Sequence, residues 1–367
     1  MLSEEAVARC LAEEWGLPEA RVTRLDGGMG SRTWIVDDAG RRWVLKAVAP
    51  ALGGQMAGGL AVAQRLELAG IPAGVADTPE PTRAGELTAT VSGCRLGLLA
   101  WVPGRPLTGQ DERQRRLIGT ILGQVHQVLP DQTVPVTQRF HWVAPAAGHL
   151  SLRPWLRPAV ASAVAAIDRV PGRCWSTGLL HADPAPGAFL LDPATGRCGV
   201  IDWSAALHGP LLYDLASAVM YLGGPDSAAD MVDAYLASGA MSRTEVDGGL
   251  ALMLRPRWAV QADYFARRIA ENDLTGIAGP EENEKGLEYA RRALLGDQMA
   301  AGLCVRGDPY LEGRRHLEGR RRPWAGKRRT WTSRDGWITG VIITGVIHSF
   351  GRLREPEGRI HVAEQAP

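Results

Sequence analysis

Hydrophobic and polar positions along the chain change period near residue 103. Before it, short apolar runs alternate with glycine-rich turns, which predicts strands. The clearest run is Arg42-Trp-Val-Leu-Lys46-Ala-Val48: Val44, Lys46 and Val48 share one face and Trp43, Leu45 and Ala47 the other. Asp37-Asp-Ala-Gly40 turns the preceding strand back into it, and Glu86 to Val91 and Arg95 to Trp101 form a second pair joined through Ser92-Gly93. Ahead of these strands, Val7, Leu11 and Trp15 mark one face of an N-terminal helix. After the connector Pro103-Gly104-Arg-Pro106 the pattern turns helical: Leu117, Ile118, Ile121, Leu122, Val125 and Leu129 line a buried face, with His126 a packed core residue. Ser242-x-x-Glu245 reads as a capping box opening a further helix, and Trp258, Ala262, Phe265 and Ile269 keep helical spacing beyond it.

Two aspartates stand directly after or close behind short apolar runs in this helical half. Leu179-Leu180 leads to His181-Ala-Asp183, and Val200-Ile201 leads to Asp202-Trp203. Strand ends are where a rigid backbone aims a charged group, although an aspartate there also serves as a turn former. Lys46 adds a third element. Only Lys46, Lys285 and Lys327 among the 41 Lys and Arg residues are lysines, so a lysine on an apolar strand is not generic charge. It needs a partner or an anion, or else it guards a sheet edge against aggregation. Upstream, Gly27, Gly28, Gly30 and Ser31 occupy a turn between two predicted strands, where backbone N–H groups can approach phosphate oxygens closely. The cluster is neither a dinucleotide fingerprint nor a Walker loop, and a plain hairpin would use the same glycines.

Taken in order, these residues resemble the aminoglycoside phosphotransferase family, within the wider group of protein-kinase-like small-molecule kinases. The resemblance spans about residues 20 to 295. It also draws on Gly70-Ile-Pro72, Leu98-Leu-Ala-Trp101-Val-Pro-Gly104-Arg-Pro-Leu107, Leu122-Gly-Gln-Val-His126 and Gly209-Pro-Leu-Leu-Tyr-Asp214. It implies an α+β, two-lobed protein-kinase-like fold, with a small antiparallel-sheet N-lobe and a larger, mostly helical C-lobe. It implies ATP and Mg²⁺ as cofactors and a small-molecule hydroxyl as acceptor, aminoglycoside-like or another metabolite. By the same resemblance Asp183 orients and deprotonates that hydroxyl, with His181 supporting its loop. Asp202 holds the metal. Lys46, Gly27, Gly28, Gly30 and Ser31 bind the phosphates, residues around Ala100 to Val102 meet the adenine through backbone groups, and Asp214 anchors the catalytic loop.

The chain departs from the family pattern twice. Five residues after Asp183 the family carries a metal-binding asparagine; Ala188 offers no acceptor, so Asp192 or water would have to stand in. The segment before Gly70 carries glycines and Gln55 where an acid would pair with Lys46, leaving Glu67, near the helix end, as the only acidic candidate. A slow phosphotransferase and a catalytically impaired nucleotide binder acting through its surfaces both fit. A hydrolytic metal centre on His181, Asp183 and Asp202 is a third reading that leaves Lys46 and the glycines unexplained.

Composition adds boundaries rather than chemistry. The 367 residues divide into an N-terminal nucleotide-binding lobe, 1–102, a C-terminal catalytic and acceptor-binding lobe, 103–296, and an extension, 297–367. The extension carries 13 Lys/Arg and 8 Asp/Glu, a balance of +5 against −4 for the rest. Its arginines, interleaved with Trp324 and Trp331, suit either disorder or contact with RNA or an anionic surface, and its tandem Ile-Thr-Gly-Val-Ile repeat at 338–347 is β-prone. The body demands no nucleic-acid partner, and no apolar run is long enough to span a membrane. Five cysteines without paired spacing and an acidic N-terminus point to a reducing cytoplasm. Asp263, Glu271 and Asp273 are candidates either for an acidic wall facing a cationic acceptor or for an ordinary solvated face, and Arg267 and Arg268 stand beside them.

Overall fold

The computed structural model describes residues 2–25, 29–70, 74–128, 143–169 and 175–301. Gly27, Gly28, Ile71, Pro72, Leu129 and the sequence beyond residue 301, including both tandem repeats, lie outside the described residues. Helix α1 (Glu4–Cys10) starts where Ser3 Oγ accepts the Ala6 N–H at 3.2 Å, and widens into a turn at Leu11–Trp15. The strands and helix that follow are β1 (Arg21–Leu25), β2 (Arg32–Asp38), β3 (Arg41–Val48), α2 (Gly53–Ala69), β4 (Gly74–Ala76), β5 (Pro79–Glu80), β6 (Ala89–Val91) and β7 (Cys94–Ala100). All but α2 and β4 form one antiparallel sheet, in the order β1-β2-β3-β7-β5 with β6 also on β7.

The alternation read in β3 divides its neighbours as expected. Trp43, Leu45 and Ala47 pack with Val7 and Leu11 of the N-terminal helix, while Val44 and Val48 meet Met56 and Leu60 of α2. Left-handed residues close both hairpins: Ala39 and Gly40 (φ 46° and 79°), then Ser92 and Gly93 (φ 50° and 80°). The strand expected from Glu86 begins only at Ala89, because Glu86 is held in a loop by Thr82, which donates its N–H to Glu86 O at 2.8 Å and accepts the Glu86 N–H at 3.1 Å.

The second half is mostly helical. It comprises β8 (Arg105–Pro106), α3 (Glu112–Val128), α4 (Leu156–Asp168), β9 (Thr177–Leu180), β10 (Phe189–Leu191), β11 (Cys198–Val200), β12 (Leu207–Pro210), α5 (Leu211–Tyr221), α6 (Ala229–Leu236), α7 (Arg243–Ala270) and α8 (Pro280–Ala301). Helix α3 crosses α6 closely: a Cβ on Gly119 would stand 2.1 Å from Met231 O. The helical stretches expected after Ser242 and around Trp258 are one helix, α7, which carries Pro256 in its interior. Its capping box is half made. Ser242 Oγ accepts the Glu245 N–H at 3.2 Å, but the Glu245 carboxylate is drawn away to Ser176, accepting its N–H at 2.6 Å and its Oγ–H at 2.9 Å, and so fastens the entry to β9.

One pairing matters most for function. β4, from the first hundred residues, lies parallel to β11 with Ala76 opposite Val200 and Cys198 opposite Gly74. β10 and β8 complete this sheet. Parallel strands end at the same edge, so Asp77, next after Ala76, leaves the sheet beside Ile201 and Asp202.

Candidate active site

Lys46, 6% exposed, reaches from β3 to Asp202, with Nζ 3.1 Å from Oδ1 across 156 residues of sequence. Ser204 Oγ–H donates to the same oxygen at 2.8 Å. Asp202 adopts a left-handed conformation (φ 72°, ψ 56°), a cost of about 1–3 kcal/mol for a residue other than glycine. Its own N–H answers that cost by donating to Asp77 Oδ2 at 3.1 Å. Lys46, Asp77 and Asp202 are all buried, and burial pushes the Asp77 carboxyl up to about 6 although Lys46 opposes the shift. Burial lowers the tendency of Lys46 to carry charge, yet the carboxylates of Asp202 and Asp77 outweigh it and hold its pKa above the ordinary value. Asp202 Oδ2 and Asp77 Oδ1 are enclosed and have no hydrogen-bond partner among the described residues. Carboxylate oxygens left without a partner are donors of the kind a hard divalent cation takes.

Lys46 is therefore not short of acidic partners, contrary to the expectation from α2. That expectation was sound for α2 itself. Met56 and Leu60 fill the space under Gly97, the β7 residue paired with Lys46, and Glu67 is exposed. Gly59 lets α2 rest directly on the segment after Asp202, since a Cβ there would come within 2.1 Å of Trp203 O. An acidic side chain at that contact has no room. Asp77 supplies the carboxylate from β4 instead.

Asp183 lies on the loop after β9, 5% exposed. Arg257 Nη2 of α7 donates to its Oδ1 at 3.1 Å, and the Tyr221 hydroxyl of α5 donates to the same oxygen. Arg257, itself 1% exposed, also donates through Nη2 to Tyr221 Oη at 2.8 Å and through Nε to Ser217 Oγ at 2.9 Å. Burial works against its charge, but Tyr221, Tyr213 and Asp183 more than compensate and keep it cationic.

His181 joins the two aspartate loops. Nδ1 accepts the Asp183 N–H at 3.3 Å and Nε2 faces Ile201 O at 2.9 Å, an arrangement that requires the hydrogen on Nε2. Both ring nitrogens are thus engaged by backbone. Asp214 anchors the same loop from α5, accepting the His181 and Ala182 N–H groups at 2.7 Å each. It is steadied by His126 Nε2 at 3.1 Å, whose Nδ1 meets Tyr235 Oη at 2.7 Å. The buried His126 is therefore more than packing: it links Tyr235 to Asp214 in a chain supporting Ala182, another left-handed residue (φ 68°).

Between the two sheets opens a cleft of about 340 Å³, part of it exposed to solvent. Thr33, Val44 and Lys46 line it from the antiparallel sheet, and Leu190 and Ile201 from the other. Ala100, Trp101 and Val102 close one end, with Asp77 also on the wall. Val44, Val102, Leu190 and Ile201 give this cleft an apolar stretch of wall. Ala100 already donates its N–H to Thr78 O at 2.8 Å, so its amide is not available to a base. Of the glycine segment, Met29 is buried among Leu150, Val160 and Phe265 of the helical half, and its carbonyl accepts from Arg268 Nη1 at 2.9 Å. Gly30 is exposed, and Ser31 Oγ lies 3.3 Å from Thr33 Oγ1.

Ala188 supplies no acceptor, as read from the sequence, and the acidic candidates weighed beside it are otherwise engaged. Ala188, buried, uses its N–H on Ala185 O and its carbonyl on Ile201 N–H, both at 2.9 Å, and contributes only a methyl group. Asp192 does not replace it, because its carboxylate caps the β10–β11 turn: Oδ1 accepts Ala194 N–H at 2.9 Å and Oδ2 accepts Thr195 Oγ–H at 2.7 Å. These bonds, with that from Thr195 foremost, lower its pKa. Asp263, Glu271 and Asp273 do not form an acidic wall together. Asp263 faces His149 Nε2 at 2.6 Å, Asp273 is paired with Arg268 at 2.9 Å, and Glu271 ends α7 in solvent. Among the described residues no group of three or more His, Cys, Asp or Glu side chains is arranged to hold a metal, against the hydrolytic-centre reading.

Sequence reasoning passed over Asp77, Tyr221 and Arg257. Asp77 was within reach, since Val75-Ala76-Asp77 repeats the apolar run ended by an aspartate that singled out Asp202. Arg257 carries no such signal among so many arginines, and Tyr221 reads as an ordinary helix residue.

A model of a phosphotransferase enzyme family, APH, matches residues 21–248. Solved structures share the fold at low identity. A microcompartment-associated aminopropanol kinase is 17% identical, with 83% of this chain and 99% of that one covered and a TM-score of 0.61. An amicoumacin kinase in complex with AMP-PNP, Ca²⁺ and its ligand is 16% identical, with 80% and 94% covered and a TM-score of 0.64. A thermostable asparagine-to-alanine variant of aminoglycoside phosphotransferase APH(4)-Ia, in ternary complex with AMP-PNP and hygromycin B, is 17% identical, with 78% and 98% covered and a TM-score of 0.53. No curated protein matches the chain. Among the described residues, no helix is long and apolar enough to cross a membrane.

Proposed function

Because the chain belongs to the phosphotransferase enzyme family APH, we propose that it uses ATP and Mg²⁺ to phosphorylate a hydroxyl group of a small molecule. The observation that carries this reading is Lys46, which lines the cleft and is ion-paired with the buried Asp202, with the Asp183 loop tied to the Asp202 segment through His181. The base stacks between Val44 and Leu190, the phosphates meet the Lys46 ammonium, and Gly30 and Ser31 lie over them. The orphaned Asp202 Oδ2 fits a metal ligand. Bound magnesium neutralises charge on the phosphate oxygens. Asp183, held by Arg257 and Tyr221, orients the acceptor hydroxyl and receives its proton, while His181 positions the loop.

Asp263 and Asp273, engaged by His149 and Arg268, give no support for choosing a cationic aminoglycoside over another hydroxylated small molecule. A second reading rests on Ala188: a catalytically impaired nucleotide binder acting through its surfaces. Loss of one electrostatic contact of this kind costs about 10²–10³ in rate.

Titration of ATP into wild type and Asp202→Ala, followed by an ATP-consumption screen over hydroxylated small molecules with Asp183→Ala as blank, separates the readings. Binding with turnover supports the phosphotransferase. Binding without turnover on any acceptor supports the impaired binder, and no nucleotide binding by wild type refutes both.

A further inference from the structure

The site contains more buried carboxylate than the roles above use. Asp77 and Asp202 are each 6% exposed, face a single buried ammonium, and each keep one enclosed oxygen without a partner among the described residues. Leaving such an oxygen unmet is costly for the folded protein, and two at one place are costlier. The two carboxylates are fixed relative to one another by the Asp202 N–H on Asp77 Oδ2 at 3.1 Å and by the parallel β4–β11 register. Asp77 also lines the cleft that Lys46 lines.

Resting on the nucleotide-binding reading, we propose that Asp77 is a ligand of the nucleotide's divalent cation. Its Oδ1 joins Asp202 Oδ2, and the pair makes good the donor that Ala188 lacks. Magnesium in phosphate sites is bound through one or two carboxylates, with phosphate oxygens and water completing six positions. Neither a third side chain nor Asp192 is then needed. The alternative, that Asp77 serves only as the acidic partner of Lys46, is poorer in geometry: the ammonium's hydrogen bond goes to Asp202 Oδ1, and Asp77 spends its bonded oxygen on backbone.

Calorimetric titration of AMP-PNP into the full chain tests this, with saturating Mg²⁺ and separately with EDTA, for wild type, Asp77→Asn and Asp202→Asn. Asparagine at 77 keeps an acceptor for the Asp202 N–H. A lost ligand lowers the magnesium-dependent gain in affinity about tenfold or more, since even residues that only support a metal ligand cost 10–100-fold. Binding in EDTA stays equal to wild type or tightens, because a negative group facing the phosphates has gone. Equal weakening with and without magnesium assigns Asp77 to Lys46 alone and overturns the proposal. So does an unchanged magnesium gain. Should wild type bind no nucleotide, the functional reading falls and this inference with it; failure in the variants alone leaves that reading standing. A measurement free of variants uses Mn²⁺ and AMP-PNP on protein labelled with ¹³C at its aspartate carboxyls: pulsed electron paramagnetic resonance showing two coupled carboxylates agrees with the proposal, and one refutes it.

Discussion

The contact between α2 and the Asp202 segment invites a sharp perturbation. Gly59→Ala adds a Cβ that would lie 2.1 Å from Trp203 O, 2.7 Å from Trp203 C and 2.9 Å from Ser204 Cα, all backbone atoms that no rotamer change can move. Restoring ordinary contact near 3.4 Å requires α2 and the segment to separate by about 1 Å, and overpacking of this order costs about 1–3 kcal/mol. Alanine's higher helix propensity returns about 1 kcal/mol, so the net expectation is a loss of about 0–2 kcal/mol, against the gain expected where a Cβ has room. Gly248→Ala is the internal control. It is exposed within α7 and a Cβ there meets nothing within 4 Å, so the same substitution is expected to stabilise by about 0.5–1 kcal/mol. Urea denaturation of wild type and the two variants reads both signs. The site adds a second readout: Gly59→Ala moves the segment that carries Asp202 and weakens Mg²⁺-dependent AMP-PNP binding, whereas Gly248→Ala does not. A Gly59→Ala protein as stable as Gly248→Ala refutes the close approach of α2 and, with it, the reason α2 offers no acid to Lys46.

Arg257→Met leaves Asp183 buried without its cation, at an expected cost of about 3–5 kcal/mol in chemical denaturation; adding Asp183→Asn restores a large part, and strict additivity in that double-mutant cycle counts against the pair. Asp214→Ala removes the acceptor of two loop N–H groups and the partner of His126, so a loss of at least about 2 kcal/mol is expected, together with the loss of ATP consumption if turnover is found. Burial, aided by Glu14 and Glu13, pushes the Cys10 thiol up to about 11, and burial pushes Cys198 up to about 12. Both stay protonated at pH 8, so peptide mapping after iodoacetamide treatment of the native protein finds neither alkylated, while denatured protein shows both.

How much of the site was legible follows from the range of each signal. Asp183 and Asp202 stand out because a short apolar run closing on a charge is written within a few residues, and the same signal marks Asp77. Lys46 is conspicuous through the scarcity of lysine and the period of β3. The supporting roles of Asp214 and His181 came from resemblance, and backbone hydrogen bonds give them physical content. The roles of Asp192 and of the acidic residues around α7 stayed open in the sequence for one reason: a carboxylate's availability depends on what else it can reach. A turn hydroxyl, His149 and Arg268 reach these groups first.

By itself, then, the sequence determined where strands end in carboxylates, which residues of β3 share a face with Lys46, and that the first turns of α2 carry no acid. Those are consequences of local period and side-chain chemistry. Only tertiary structure decided what those groups do to one another. Lys46 meets Asp202 because two sheets face across a cleft, and Asp77 joins them because β4 runs parallel to β11 in a register that brings both strand ends to one edge. Arg257 reaches Asp183 because α7 crosses α5. Interactions between charges fall with distance in space and ignore distance along the chain, so pairs separated by 74, 125 and 156 residues leave no mark on the pattern of either partner.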